Sequence, residues 1–231
     1  MRSTTARQTP ARPAGSNGKP SRNRRWLFWV IGGAAALTAL VVLYGIFSSS
    51  AAPRTDAAPG ESSAANAEYE VGEPGPGEEA PGFTLTDGTG GEVSLSDYEG
   101  QNVLLYFQEG LTCQACWQQM ADLEAEQDRL RAAGIDAIVS ISTDPADLLG
   151  RAAADLGLTT PVLSDPDLAA SAQYSANQYG MMGTSRNGHT FILVGPDGTI
   201  EWRADYGGAP DYTMYIPVDT LLADLERATA P

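Results

Sequence analysis

The sequence predicts an α/β domain, a central mixed sheet flanked by helices, with a transmembrane helix near the N-terminus. First, short apolar runs alternate with amphipathic segments along residues 81–231. Second, the only two cysteines, Cys113 and Cys116, lie between one such run and one such segment. Third, residues 26–47 contain no charged residue, which is typical of a membrane span.

The N-terminal part predicts a single-pass anchor in the cell membrane. Residues 1–25 carry seven basic residues and no acidic one, so they form a predicted cytoplasmic tail. At about 1.5 Å per residue, a helix over residues 26–47 spans roughly 33 Å and crosses the lipid bilayer. The alternative is a cleaved signal peptide, whose apolar region is normally shorter, about 7–15 residues.

Two further ranges complete the predicted domain organisation. Residues 48–80 contain no Leu, Ile, Phe, Met or Trp, which predicts a flexible linker. Residues 81–231 form the predicted folded domain, on the extracytoplasmic side. They carry 22 acidic residues, six arginines and no lysine. This charge excludes nucleic acid as an expected partner.

The order of elements within residues 81–231 predicts a thioredoxin-like arrangement. Asp144 and Asp165 each precede a proline, which predicts two helix starts with the aspartate as N-cap. A helix is also expected directly after Cys113, and a closing helix from Val218. Strands are predicted at 83–85, 92–95, 102–107, 135–142, 161–164, 190–194 and 199–206.

The cysteine pair lies where a strand ends and a helix begins. Unpaired N–H groups and the helix dipole at that position favour a thiolate and lower the pKa of a cysteine. Cys113 is therefore the expected nucleophile, and Cys116 the cysteine that resolves a mixed disulfide with it. The inert alternatives are a structural disulfide and half of a zinc site. A structural zinc normally needs four ligands, whereas the chain offers two cysteines and one histidine.

Four segments carry a resemblance to a known family: Ala80–Leu85, Val93–Gly100, Val103–Phe107 and Thr190–Gly198. In these segments the chain resembles the redoxin family, also called AhpC-TSA or peroxiredoxin-like. The resemblance implies a thioredoxin fold, and members of the family include thiol peroxidases and membrane-tethered thiol–disulfide oxidoreductases.

Departures from the family motifs favour the oxidoreductase branch. Peroxiredoxins carry Pro-x-x-x-Thr-x-x-Cys. Counted back from Cys113, the proline and threonine positions hold Tyr106 and Gly110. Counted back from Cys116, they hold Glu109 and Cys113, so neither register fits.

One later position also departs from both branches of the family. Gly188 stands where peroxiredoxins place an arginine, with Arg186 two residues upstream. Oxidoreductases have a cis-proline facing the cysteines at about the same place. The resemblance therefore leaves the loop that faces the cysteines without either expected side chain.

Two more side chains are candidates for the site. His189, the only histidine, precedes a predicted strand in a loop expected to face Cys113. It is a candidate for proton transfer, with an ordinary buried histidine as the alternative. Glu109, four residues before Cys113, is a candidate proton-transfer acid, with a solvated loop acid as the alternative. Sco-type copper chaperones share the fold, and soft thiolates with imidazole suit copper.

These observations predict a membrane-anchored, extracytoplasmic thiol–disulfide oxidoreductase that uses a Cys113–Cys116 redox pair. The reaction needs no bound cofactor. It needs a protein thiol or disulfide as substrate and a membrane-linked redox partner, and either direction of exchange is compatible with the sequence. The alternatives are a peroxiredoxin-type thiol peroxidase, a copper-binding chaperone using Cys113, Cys116 and His189, and a domain that presents an inert disulfide.

Overall fold

The structure is a computed structural model that describes residues 68–230. Over this range the strands are β1 (Thr84–Asp87), β2 (Glu92–Ser94), β3 (Val103–Phe107), β4 (Ala137–Ser142), β5 (Val162–Ser164), β6 (Thr190–Val194) and β7 (Ile200–Asp205). The α-helices are α1 (Gln114–Ala125), α2 (Gln127–Ala132), α3 (Ala146–Asp155), α4 (Ala169–Gln173) and α5 (Val218–Thr229). Short 3-10 helices cover Leu95–Tyr98, Ala176–Gln178 and Gly183–Ser185.

The strands form one mixed sheet in the order β2-β1-β5-β4-β3-β6-β7. Strands β3, β4 and β5 are parallel, whereas β6 pairs antiparallel with β3 and β7 antiparallel with β6. The prediction of a thioredoxin-like α/β fold with a central mixed sheet is confirmed. Strand β3 is an interior strand between β4 and β6, and the cysteine pair lies after its carboxyl end, where α1 begins.

Strand β3 is buried along its whole length and separates two apolar cores. Leu104 and Tyr106 point to one face, where α1 and α5 pack. Leu105 and Phe107 point to the other face, against Tyr174. This alternation follows from the two-residue period of a strand, and burial on both faces explains why β3 is apolar throughout.

Neither aspartate occupies the predicted N-cap position. Leu168 is the N-cap of α4, and Asp165, three residues earlier, accepts hydrogen bonds from the backbone N–H of Ala170 and of Ser171. The cap predicted for Asp144 is wrong, because Pro145 occupies the N-cap position of α3 without a capping side chain. The Asp144 carboxylate instead accepts a hydrogen bond from the backbone of Leu111, 33 positions earlier.

The last part of the predicted linker, residues 68–80, runs along the edge strand β7. Glu70 and Asp205 exchange backbone hydrogen bonds of 3.1 and 2.9 Å. Tyr69 packs edge-on against Trp202, with 6.2 Å between ring centroids. The domain boundary predicted at residue 81 is therefore wrong, because the edge of β7 supplies partners that the composition of the segment does not reveal. Residues 48–67 lie outside the described range.

A buried ion pair fixes this segment to the sheet. Arg203 and Asp205 are both inaccessible to solvent, with Nε to Oδ2 at 2.7 Å and Nη2 to Oδ1 at 3.0 Å. Asp205 also accepts from the Gly72 N–H at 2.8 Å and from the Thr190 hydroxyl at 2.7 Å. Arg203 donates to the Pro74 carbonyl at 3.1 Å. Both charges are thereby satisfied by several partners, as buried charges require.

The predicted cytoplasmic tail at 1–25 and the predicted transmembrane helix at 26–47 lie outside the described residues. Within residues 68–230, no helix combines the length and the apolar character needed to cross a membrane.

Candidate active site

Cys113 and Cys116 form a disulfide, with 5.3 Å between their Cα atoms. Cys113 is the N-cap of α1, and its Sγ accepts a hydrogen bond from the Cys116 N–H at 3.1 Å. Cys116 is fully buried, whereas Cys113 is 8% exposed. Cys113 is therefore the more accessible residue of the pair.

The loop between β3 and α1 is held by side chains as well as by its own backbone. The Gln108 carboxamide accepts from the Gly110 N–H at 3.1 Å and donates to the Ser140 hydroxyl at 3.1 Å. The Cys113 N–H donates to the Gly110 carbonyl at 3.0 Å. These bonds make the loop a compact turn immediately before Cys113.

Gly110 is required by the shape of this turn. Its φ of +92° lies in the region that favours glycine. A Cβ atom added there would lie 1.9 Å from Asp144 Oδ2 and 2.3 Å from Ser142 Oγ. Counted back from Cys113, Gly110 is the position at which the peroxiredoxin motif carries threonine. No side chain fits there without moving Asp144 or Ser142.

Asp144 and Arg186 lie beneath the loop and are joined to each other. Arg186 Nη1 is 3.0 Å from Asp144 Oδ1 and 3.1 Å from Oδ2. The same nitrogen donates to the Glu109 carbonyl oxygen at 2.8 Å. The Leu111 N–H donates to Asp144 Oδ2 at 2.6 Å. These two residues thus contact the backbone just before Cys113, and the sequence analysis gave neither of them a role in the site.

Glu109 is buried, only 5% exposed, and is not a solvated loop acid. Its Oε1 accepts from the Met181 N–H at 3.3 Å. Burial raises the pKa of Glu109, and the Met181 N–H and the charge of Arg186 oppose this rise. A carboxyl group that holds its proton more firmly than usual is therefore built into the loop, which keeps the proton-transfer hypothesis for Glu109 open.

His189 lies in an aromatic enclosure rather than at the surface. Its Nδ1 is 2.9 Å from the Tyr106 hydroxyl, and its ring contacts Phe191 and Tyr206 edge-on. Burial lowers the pKa of His189 to about 3. The imidazole is therefore neutral near neutral pH, which favours the ordinary buried histidine over the proton-transfer role.

The three residues of the copper alternative are not arranged as metal ligands in this structure. Within residues 68–230, no group of three or more His, Cys, Asp or Glu side chains is arranged to hold a metal ion. Cys113 and Cys116 are bonded to each other, and His189 is enclosed by aromatic rings.

The position expected to hold a facing proline has no room for a side chain. A Cβ atom at Gly188 would lie 1.2 Å from the Tyr179 carbonyl oxygen. The Gly188 N–H donates to the Ala176 carbonyl at 3.0 Å. The backbone segments pack directly against each other here, which accounts for glycine in place of the residues that the resemblance implies.

Comparisons with known proteins agree with this fold. The AhpC/TSA family profile matches residues 76–203. Rv2521, a candidate peroxiredoxin of Mycobacterium tuberculosis strain H37Rv, is 39% identical over 131 residues, covering 54% of this chain and 81% of the relative. Peroxiredoxin Bcp of Escherichia coli K12 is 35% identical over 128 residues with the same coverage.

Two further matches extend the comparison. The thiol-disulfide oxidoreductase ResA of Geobacillus kaustophilus is 33% identical over 89 residues, covering 38% of this chain and 51% of ResA. Peroxidoxin BcpB from Mycobacterium tuberculosis superimposes with a TM-score of 0.56 at 21% identity, covering 66% of this chain and 97% of that one. This structural likeness concerns the fold alone.

The fold, and a cysteine pair at the start of α1, define a thiol-based redox enzyme of the peroxiredoxin-like class. The chain belongs to the AhpC/TSA family. Its relatives favour the peroxidase alternative over the thiol–disulfide exchange that the motif departures predict.

Proposed function

We propose that the domain is a thiol peroxidase in which Cys113 reacts with the peroxide and Cys116 resolves the product. The observation that carries this proposal is the cysteine pair at the N-terminus of α1, in a domain whose relatives include peroxiredoxins. The helix N-terminus stabilises the thiolate, which is the form that attacks peroxide.

The proposed reaction has three steps. The Cys113 thiolate attacks one peroxide oxygen, the O–O bond breaks, and a sulfenic acid and an alcohol or water form after one proton is taken up. The Cys116 sulfur then attacks the Cys113 sulfur and displaces water, which forms the disulfide seen in the structure. Two electrons from an external dithiol restore both thiols.

The burial of the two sulfurs supports this assignment of roles. Cys116 is fully buried and Cys113 is 8% exposed, so peroxide and the reducing dithiol both react at Cys113. Glu109 is the proposed source of the proton for the leaving oxygen. Its raised pKa, caused by burial, keeps it protonated to higher pH than an exposed glutamate.

Thiol–disulfide exchange is the second candidate function. The structure around Gly110 favours it. Gly110 stands at the threonine position of the peroxiredoxin motif, counted back from Cys113, and it has no room for a threonine side chain. The motif is therefore incomplete. The match to ResA, named a thiol-disulfide oxidoreductase, supports the same alternative. In this case a protein disulfide takes the place of the peroxide and no sulfenic acid forms.

The rates at which peroxides and a protein disulfide oxidise the domain distinguish the two candidate functions. The reduced full-length protein is mixed with hydrogen peroxide, with an organic hydroperoxide, or with an oxidised thioredoxin-like protein, and disulfide formation is followed in each mixture. The peroxidase proposal expects oxidation by at least one peroxide to be faster than by the protein disulfide. The reverse order supports exchange. A variant with Cys113→Ser is the control and should not react with either.

We further propose that this chemistry takes place outside the cytoplasm, on a domain anchored by residues 26–47. The support is the uncharged span, the basic residues before it and the acidic domain after it. The partners are then a protein thiol and a membrane-linked electron donor, with no bound cofactor. Protease treatment of intact cells should degrade the domain, whereas protection until the cells are lysed would contradict this location.

A further inference from the structure

The loop before Cys113 is tied to two side chains that lie far from it in the sequence. The Leu111 N–H donates to Asp144 Oδ2 at 2.6 Å. The Glu109 carbonyl accepts from Arg186 Nη1 at 2.8 Å, across 77 positions. One acid and one base therefore each hold one peptide group of the same turn.

Asp144 and Arg186 also neutralise each other. One guanidinium nitrogen of Arg186 lies within 3.1 Å of both Asp144 carboxylate oxygens. The Asp144 side chain is 8% exposed and that of Arg186 is 26% exposed. Charges with this little exposure to water are screened less than surface charges. Removing the charge of Asp144 or of Arg186 therefore leaves the charge of the other residue uncompensated beside the loop.

The pair lies close enough to Cys113 to influence its charge. Leu111 and Cys113 are two residues apart, so their Cα atoms are separated by at most about 7 Å. Two further ionisable groups face this region. Glu109 interacts with Arg186, and Tyr106, within the sheet, interacts with Glu109.

We propose that Asp144 and Arg186 act as a pair of positioning residues that fix the turn before Cys113 and balance the charge felt by its thiolate. The inference rests on the proposed function only in taking Cys113 as the reactive cysteine. Neither residue needs to touch the oxidant for this role.

The proposal predicts opposite effects for the two charges. Asp144→Asn keeps an oxygen acceptor for the Leu111 N–H but removes the negative charge, so the unpaired Arg186 favours the thiolate. Arg186→Gln leaves the Asp144 carboxylate unpaired, which disfavours the thiolate. A purely structural role would slow or speed the reaction of Cys113 in the same direction for both variants.

The test measures alkylation of Cys113 by iodoacetamide in the reduced full-length protein, with Cys116→Ser as the background. Below the pKa of the thiol, Asp144→Asn should raise the rate and Arg186→Gln should lower it. Each change is about fivefold, the size expected for one charge roughly 10 Å away at a partly exposed site. The double variant should return close to the background rate.

The matched control uses the exposed ion pair of α3. Asp147 and Arg151 are joined at 3.0 Å and both are largely exposed. Asp147→Asn and Arg151→Gln should leave the alkylation rate unchanged, because water screens this pair.

Rates that move in the same direction for Asp144→Asn and Arg186→Gln, or that do not move, would overturn the inference. If Arg186→Gln does not fold, Asp144→Asn decides the matter alone, because the inference requires it to raise the rate and an unchanged or lower rate would overturn it. Alkylation requires no peroxide turnover. The inference can therefore stand while the peroxidase proposal fails, and the reverse.

Discussion

The ion pair Arg203–Asp205 and the ion pair Arg186–Asp144 both lie below the surface, but they stabilise different parts of the molecule. Arg203 and Asp205 are fully buried and bind the segment 68–80 to the sheet. Arg186 and Asp144 retain 26% and 8% side-chain exposure and bind the turn that leads to Cys113. The first pair stabilises the fold, whereas the second has the position and the incomplete burial of a pair that can act on the chemistry.

The largest expected effect comes from breaking the fully buried pair. Arg203→Met leaves the Asp205 carboxylate without its cation in a site closed to water. Loss of one partner of a buried pair costs about 3–5 kcal/mol of unfolding free energy, measured by denaturant titration. The alkylation rate of Cys113 in the folded fraction should not change. A change of rate comparable to that of Arg186→Gln would show that the two pairs do not have separate roles.

A smaller loss is expected from Gly110→Ala, which brings a Cβ against Asp144 and imposes strain at a φ of +92°. We expect roughly 2–3 kcal/mol of destabilisation, the range of a severe local substitution. Gly134→Ala is the matched control. Gly134 has a φ of +90° and open space around its Cβ position, so it reports the backbone strain alone, about 1–2 kcal/mol. Equal losses at the two positions would contradict the close contact with Asp144.

The buried His189 is expected to make the unfolding free energy depend on pH. Its pKa falls from 6.5 in the unfolded chain to about 3 in the folded protein, so the unfolded state binds more protons between these values. Stability from this group is complete above pH 6.5 and is lost as the pH falls, by about 1.4 kcal/mol per pH unit. His189→Gln should reduce the slope of unfolding free energy against pH over this window. An unchanged slope would show that folding does not lower the pKa of His189.

The smallest effect is expected at the surface. Asp147→Asn breaks an exposed pair on α3, and we expect a change in unfolding free energy below about 0.5 kcal/mol. Thermal unfolding checks this value. A loss as large as that of Arg203→Met would mean that burial does not determine how much each ion pair contributes to stability.

The sequence was sufficient to predict the order of strands and helices and the position of the cysteine pair. Strand β3 and the start of α1 follow from local patterns, namely an apolar run and a Cys-x-x-Cys at its end. The contacts of Asp144 with Leu111 and of Arg186 with Glu109 span 33 and 77 positions. No local pattern encodes them, and the Asp-Pro signal at Asp144 pointed to a helix cap instead.

Two other features also depend on contacts between residues that are distant in the sequence. His189 precedes β6, and its ring lies in the aromatic core beside Tyr106. The segment 68–80 has the composition of a linker, yet it finds backbone partners along β7. Both outcomes depend on which surfaces the fold leaves open, and only the assembled sheet reveals them.

The central claim is that Cys113 reduces peroxide, and trapping its oxidised form tests this most directly. The full-length protein carrying Cys116→Ser is reduced, treated with one equivalent of peroxide and then with dimedone, and the adduct is located by mass spectrometry. The account predicts a sulfenic acid adduct at Cys113, formed faster than in a variant with Arg186→Gln. Absence of the adduct, together with rapid reaction of the same protein with a disulfide, would contradict the account and favour thiol–disulfide exchange.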